Sequence, residues 1–129
     1  MSLTHHTPAH SRPTGQYTSA VEVSGPGRTL YVSGQGPVDP STGSKYVGEN
    51  IDRQARLALN NLKQVIEGSG FALPNVVKVT IFLTNLEHAP AVNHIYAEYF
   101  PKNPPARAIA EVAGLPDGQA IEIDAIANI

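Results

Sequence analysis

The hydrophobic period of this chain changes at Asn50, and that change restricts the possible folds more than any other feature. Beyond it, apolar side chains recur at the three- and four-residue spacing of an amphipathic α-helix, at Ile51, Ala55, Ala58, Leu59, Leu62 and Ile66. Asn50 is a favourable N-cap residue, and Gly68 or Gly70 is a suitable terminator. The pattern therefore predicts a helix that presents one apolar face to a core.

A strand and a second helix are expected to follow. The strand has apolar residues at every second position, alternating with polar ones, at Val77, Val79, Ile81 and Leu83. The helix tolerates Pro90 in its first turn and carries four large side chains on one face, at Val92, Ile95, Tyr96 and Tyr99. It is ended by Phe100, Pro101, Pro104 and Pro105.

Short β-prone runs precede and follow the two helices. Residues 17–23 and 29–33 are joined by a turn rich in Gly and Pro and are predicted to form a hairpin. Strands at 106–112 and 121–127 are separated by turn formers and are predicted to form a second hairpin. The order ββαβαββ indicates one α+β domain from residue 14 to 129, in which two helices cover one face of a mixed sheet. Residues 1–13 are expected to be a flexible tail.

The second predicted hairpin brings a cation close to a carboxylate. Small apolar residues fill alternate positions of its first strand, which assigns Arg107 and Ile109 to the face away from the core, together with Glu122 of the second strand. With a four-residue loop, Arg107 lies diagonal to Glu122, about 7 to 8 Å away between backbones. Such a pair could bind a small carboxylate substrate through the cation and act on it. From these two residues alone, a solvated ion pair that contributes ~0 to 1 kcal/mol is the favoured interpretation, because such surface pairs are common.

Composition excludes several classes of site and partner. The 129 residues include no cysteine, so disulfides and thiolate metal sites are excluded. A net charge of −2, with only nine Lys and Arg, offers no electrostatic footprint for nucleic acid. No apolar run approaches the ~20 residues of a membrane span, and a cytoplasmic protein is expected. Charged residues make up only 16% of the chain and hydrophobic ones 41%, which favours self-association.

The histidines and Ser33 do not suggest a further site. The histidines of the predicted tail lack a rigid support, and His88 and His94 lie six residues apart, on opposite sides of a helix, so no metal site is expected. Ser33 has no histidine suited to act as its base, which disfavours serine hydrolase chemistry.

A series of short motifs resembles the Rid family of enamine/imine deaminases, whose older names are translation inhibitor and L-PSP endoribonuclease. The first half of the chain carries GQY at 15–17, YVSGQ at 31–35 and NNLK at 60–63. The second half carries VVKVTIFLT at 76–84, VNHIY at 92–96, PAR at 105–107, LP at 115–116 and IEI at 121–123. The resemblance extends from about residue 13 to 127, in the family's order and spacing.

This resemblance implies a fold, an assembly and an activity. The fold would be similar to chorismate mutase, forming a trimeric barrel with three active sites in clefts between neighbouring subunits. The activity would be cofactor-independent hydrolysis of 2-aminoacrylate, 2-iminopropanoate and 2-iminobutanoate to 2-oxo acids and ammonia. Arg107 falls on the family's carboxylate-binding arginine and Glu122 on its water-positioning glutamate. Further pocket positions fall on Tyr17, Ser33, Gly34, Asn93 and Ile109.

The chain departs from the family's pattern at two places. Ile109 stands where many members have cysteine, and Thr18 and Ser19 replace a usual serine and glutamine. The first change is tolerable if that position acts through its backbone, whereas the second could alter the rim of the pocket. Two other functions stay open from the residues: an endoribonuclease or translation inhibitor, and a non-catalytic trimer that binds 2-oxo acids or acts like a chaperone.

Overall fold

The two helices and the strand between them form as the hydrophobic pattern predicts. The computed structural model describes residues 2–6, 16, 20–39, 41–48 and 50–129. The helices are α1 (Ile51–Gly68) and α2 (Ala89–Tyr99). The strands are β1 (Ser2–His6), β2 (Ala20–Ser24), β3 (Thr29–Gln35), β4 (Val76–Leu83), β5 (Ala106–Glu111) and β6 (Ile121–Asn128). Asn50 caps α1, because its side-chain oxygen accepts a hydrogen bond from Arg53 N at 2.9 Å.

The main sheet is mixed and four-stranded, in the order β3-β6-β4-β5. β4 is parallel to β5 and antiparallel to β6, and β3 is antiparallel to β6. The predicted apolar face of α1 is buried, with Ala55, Ala58, Leu62 and Ile66 fully inaccessible. It packs with the inward residues of β4 and β6 in one core, which confirms the prediction of an α+β domain with two helices on one face of a mixed sheet.

The predicted hairpin between the last two strands is wrong, because β4 lies between β5 and β6. Helix α2 connects β4 to β5, and such a crossover is how neighbouring strands become parallel. The connection from β5 to β6 then passes the end of β4. Val112 N donates to Leu83 O at 2.8 Å as it leaves β5, and Thr84 N donates to Ala120 O at 3.1 Å as it reaches β6. The turn formers at 114–117 therefore carry the chain across a strand instead of reversing it.

The first predicted hairpin is also wrong. β2 pairs with β1 in a separate two-stranded sheet, and β3 pairs with the C-terminal strand β6. Two backbone hydrogen bonds between Arg28 and Ile129 extend this second pairing beyond β3. β1 lies within the predicted tail, but residues 7–15 lie outside the described residues, so the domain boundary near residue 13 stays a prediction. In the described part of the chain, neither helix combines the length and apolarity that a membrane crossing requires.

Candidate functional site

Arg107 lies on the helix-covered face of β5, opposite to the face that the sequence predicted. In the sheet it is paired with Val79, whose side chain is fully buried beneath the helices. Side chains paired across neighbouring strands share a face, so Arg107 points toward α2 and not toward the open side of the sheet. Ala108 and Ala110, which were assigned to the core, are exposed. Alternating alanines misled the prediction because β5 is an edge strand with small residues on its open face.

Helix α2 supplies two contacts that hold the Arg107 guanidinium. Arg107 Nη1 donates a hydrogen bond to Asn93 Oδ1 at 2.7 Å. The guanidinium carbon also lies over the ring of Tyr96, 4.9 Å from the ring centroid. Asn93 and Tyr96 are three residues apart and therefore lie on the same side of α2. We call Asn93, Tyr96 and Arg107 the arginine group.

Tyr96 was predicted as a core residue of α2 but not as a member of the site. Its side chain is completely buried, and its ring packs on Phe100 with the ring centroids 4.8 Å apart. Burial raises the pKa of the Tyr96 hydroxyl, an effect that the charge of Arg107 partly opposes, so the phenol stays neutral at physiological pH. The available signal was its spacing from Asn93, which places both on one side of the helix.

Glu122 lies on the open face of the sheet and is half-buried against β3. It is paired with Phe82 of β4, three residues beyond Val79 and hence on the opposite face. A Cβ atom added to Gly34 would stand 2.6 Å from Glu122 Oε2, so the carboxylate occupies the space that a side chain would need. Gly34 falls in the irregular stretch where the pairing of β3 with β6 shifts register.

Ser33 precedes Gly34 and is exposed on the same strand, where its carbonyl accepts a hydrogen bond from Gln35 Nε2 at 3.1 Å. We call Ser33, Gly34 and Glu122 the glutamate group. The predicted site residues are thus gathered into two groups rather than one.

The two groups do not meet within one chain. Arg107 and Glu122 are on opposite faces, two strands apart and three residues apart along the strands. These offsets separate their backbones by about 14 Å. The predicted diagonal contact is therefore wrong, and so is the alternative of an ion pair between these two residues within the chain.

The remaining predicted residues have different positions. Ile109 is partly buried against the core beside Ile81, on the same face as Arg107. Tyr17 lies outside the described residues, as do Thr18 and Ser19. Gln16 donates a hydrogen bond to Phe100 O at 2.7 Å, which ties Gln16 to the residue that follows α2.

Two buried polar residues of α1 secure the loops beside the glutamate group. Asn61 Nδ2 donates to the backbone oxygens of Gly36 at 3.0 Å and Val38 at 2.7 Å, just after β3. Gln54 Oε1 accepts from Ala120 N at 3.0 Å, just before β6. Both side chains are nearly inaccessible to solvent. They therefore satisfy backbone groups of the loops that would otherwise need a hydrogen bond from water. Sequence reasoning missed both as supports, although each is a polar residue on the apolar side of a helix.

Replacing Asn61 with alanine is expected to lower the free energy of unfolding by about 1 to 3 kcal/mol, because two partly buried carbonyls lose their donor. Urea denaturation followed by circular dichroism measures this change. Asn60→Ala is the matched control, since the neighbouring Asn60 is exposed and its side-chain oxygen accepts a hydrogen bond from Tyr99 OH. Equal losses from the two variants would contradict the assigned role of Asn61.

One large cleft of the single chain lies away from both groups. A cleft of about 570 Å³ lies between α1 and the end of α2, lined in part by Arg56, Lys63 and Glu98. It includes no predicted site residue. In the described part of the chain, no cluster of three or more His, Asp or Glu residues is placed to hold a metal ion.

The chain is similar in sequence and structure to members of one protein family. The family model described as Endoribonuclease L-PSP matches residues 7–129. A 2-iminobutanoate/2-iminopropanoate deaminase from Rattus norvegicus is 45% identical over 113 residues, or 88% of this chain and 80% of the rat protein. The structure of RidA from the Antarctic bacterium Psychrobacter has a TM-score of 0.75 at 35% identity and covers 91% of each chain. E. coli TdcF with bound serine has a TM-score of 0.71 at 32% identity, covering 84% of this chain and 92% of TdcF.

Proposed function

The chain belongs to the Endoribonuclease L-PSP family, also called Rid, and we propose that it hydrolyses small 2-imino acids to 2-oxo acids and ammonia. The substrates are 2-aminoacrylate with its tautomer 2-iminopropanoate, and 2-iminobutanoate. No cofactor takes part. The observation that carries this proposal is the guanidinium of Arg107, held by α2 in a partly buried position suited to a carboxylate. The relatives named as deaminases support it, as does the serine bound to TdcF.

Arg107 binds and orients the substrate. A guanidinium offers five N–H donors in a planar fork, enough for one bond to Asn93 and two parallel bonds to a carboxylate. Charge-assisted bonds of this kind contribute about 1.5 to 3 kcal/mol each when sheltered from water. Because the imine carbon is bonded directly to the carboxylate carbon, fixing the carboxylate also fixes the position of the electrophile.

Glu122 activates the water. The protonated imine is electrophilic, so the new C–O bond forms as Glu122 accepts a proton from the attacking water and the C=N electron pair moves to nitrogen. Glu122 then returns this proton to the amine, the C–N bond breaks with its electrons leaving on nitrogen, and the hydroxyl becomes the carbonyl of the 2-oxo acid. The excess proton leaves with ammonia as ammonium. General-base assistance of this kind is worth roughly 10² to 10⁴ in rate.

A complete site in this proposal needs two copies of the chain. A three-carbon or four-carbon substrate cannot reach across about 14 Å of sheet and also touch both faces. The arginine group of one subunit must therefore lie against the glutamate group of its neighbour. A closed ring of three identical chains satisfies this requirement, because each interface then makes one site.

Release of ammonia from freshly generated 2-iminopropanoate, above the uncatalysed rate, tests the proposal. A chain that binds pyruvate but does not accelerate this release would be a binding protein instead of an enzyme. Cleavage of RNA that survives in the Arg107→Ala variant would favour a ribonuclease, a function that the net charge of −2 does not support.

Mixing two inactive variants is expected to restore activity if each site is shared between subunits. Arg107→Ala and Glu122→Gln chains are unfolded and refolded together in equal amounts. A site is intact when Arg107 comes from one variant and Glu122 from the other, so random assembly regenerates about a quarter of the sites. The measurement is ammonia release, with light scattering to verify a mass near three times the 13.7 kDa of one chain.

The refolded single variants serve as the controls in this mixing experiment. Activity of the mixture no greater than the mean of the two controls would mean that the groups are not shared. A particle with the mass of one chain would contradict the trimer.

A further inference from the structure

Tyr96 is placed under Arg107 in a way that core packing alone does not require. Its side chain is completely buried, yet its hydroxyl has no hydrogen-bond partner in the described structure. The contacts that Tyr96 makes through its side chain in the described structure are therefore those of its ring. The guanidinium of Arg107 lies over the face of this ring, so Tyr96 joins the core to the arginine group.

We propose that Tyr96 is a positioning residue for Arg107, its ring face setting the plane in which the guanidinium meets the carboxylate of the substrate. This inference rests on the proposed function and adds a residue to it. The hydrogen bond to Asn93 holds one edge of the guanidinium. The ring beneath it restrains the plane of the guanidinium, because a cation is attracted to the face of an aromatic ring.

Asn93 and Tyr96 both belong to helix α2, so one rigid element restrains the long side chain of Arg107 on the edge strand β5. An unrestrained arginine loses rotamer entropy each time it binds a ligand. When α2 already holds the guanidinium, the conformational entropy of the arginine side chain is lost during folding and not on binding. The substrate then binds to a guanidinium that is already oriented. Removing the ring is therefore expected to weaken carboxylate binding while leaving the proton transfer at Glu122 unchanged.

The chain contains a matched control for this role. Phe100 is also buried, at 4% exposure, and its ring contacts the ring of Tyr96. It belongs to the same core, whereas the ring over which the guanidinium of Arg107 lies is that of Tyr96. Phe100→Leu thus removes a buried aromatic ring next to the site without removing the face on which the guanidinium rests.

The experiment compares Tyr96→Phe, Tyr96→Leu and Phe100→Leu by calorimetry with pyruvate and by steady-state kinetics with 2-iminopropanoate. We expect Tyr96→Leu to raise the Kd of pyruvate and the KM by about 3-fold to 30-fold, the range of a sheltered cation–π contact. The kcat should change by less than about 3-fold, because Glu122 is untouched. Tyr96→Phe keeps the ring and should stay within about 2-fold of the wild type, as should Phe100→Leu.

A spectroscopic readout makes the test independent of the proposed function. The Arg107 Nε–H resonance in the ¹⁵N spectrum is identified by its loss in Arg107→Lys. Tyr96→Leu should move this resonance, because the ring current beneath the guanidinium disappears, whereas Phe100→Leu should leave it nearly in place. If the wild type fails to release ammonia or to bind pyruvate, the proposed function fails, and the resonance alone decides the role of Tyr96.

A fluorinated phenylalanine series at position 96 covers the case in which Tyr96→Leu does not fold. Successive ring fluorines weaken the attraction for a cation with little change in shape, so the Kd of pyruvate should rise stepwise. A Kd that is flat across the series would overturn the proposal. Equal changes in Kd, or equal movement of the Arg107 resonance, in Tyr96→Leu and Phe100→Leu would overturn it as well.

Discussion

Replacing Arg107 with alanine is expected to lower kcat/KM for 2-iminopropanoate by about 10²- to 10⁴-fold. The variant loses two charge-assisted hydrogen bonds to the substrate carboxylate, together about 3 to 6 kcal/mol of transition-state stabilisation. Most of the loss should fall on KM, because the water and its base remain in place. Steady-state kinetics with ammonia release as the readout measures the effect, and light scattering verifies that the assembly is retained.

Two further variants identify the source of this loss. Arg107→Lys keeps the charge but loses the fork, so the affinity for pyruvate should fall between those of the wild type and the alanine variant. Arg28 also rests on an aromatic ring, 5.0 Å from the centroid of Phe71, but it lies in the exposed segment before β3. Arg28→Ala therefore controls for the loss of a stacked arginine and should leave kcat/KM unchanged. Equal pyruvate affinities in the wild type and Arg107→Lys would contradict bidentate binding.

The elements that could be predicted from the sequence are those whose signal is local. The period of α1 and its cap at Asn50 are properties of neighbouring residues, and the structure confirms both. The alternation in β4 likewise identifies a strand with one buried face. An element must bury one apolar face wherever it lies in the fold, so its hydrophobic period can be recognised without knowing the strand order.

The pairing of strands was predicted wrongly because it depends on contacts that are distant in sequence. A turn-rich segment after β5 favours a hairpin with β6, yet β4 already occupies that edge of β5 through the α2 crossover. Periodicity also fails to say which alternate set of residues faces inward. In β5 the small alanines are outside, and the charged Arg107 is inside because α2 offers it an amide oxygen and a ring.

The residues of the candidate site were predicted through resemblance, whereas their arrangement was not. Asn93 and Arg107 are in contact, as are Gly34 and Glu122, so each group could be named from its motifs. Their separation follows from strand order, which the motifs do not encode. Tyr96 was missed because a tyrosine on the apolar face of a helix is usually part of the core. Tyr96 does belong to the core, but its contact with the Arg107 guanidinium can be recognised only in the three-dimensional structure.

Replacing Glu122 with glutamine is expected to lower kcat by about 10²- to 10⁴-fold and to leave the affinity for pyruvate within a few fold. Glutamine nearly matches the shape of glutamate, so the close contact with Gly34 and the fold around it are kept. It cannot accept the proton of the attacking water at neutral pH, and the loss therefore falls on the chemical step instead of on binding. Single-turnover kinetics and calorimetry with pyruvate separate the two effects.

Asp124 provides the matched control for this last prediction. It lies two residues further along β6, on the same open face and half-buried like Glu122, so Asp124→Asn removes a similar charge from the same surface. Its kcat should stay near that of the wild type if the base is Glu122 in particular and not the negative charge of the face in general. A Glu122→Gln variant with near wild-type kcat would show that Glu122 is not the base. Backbone carbonyls or the substrate itself would then position the water.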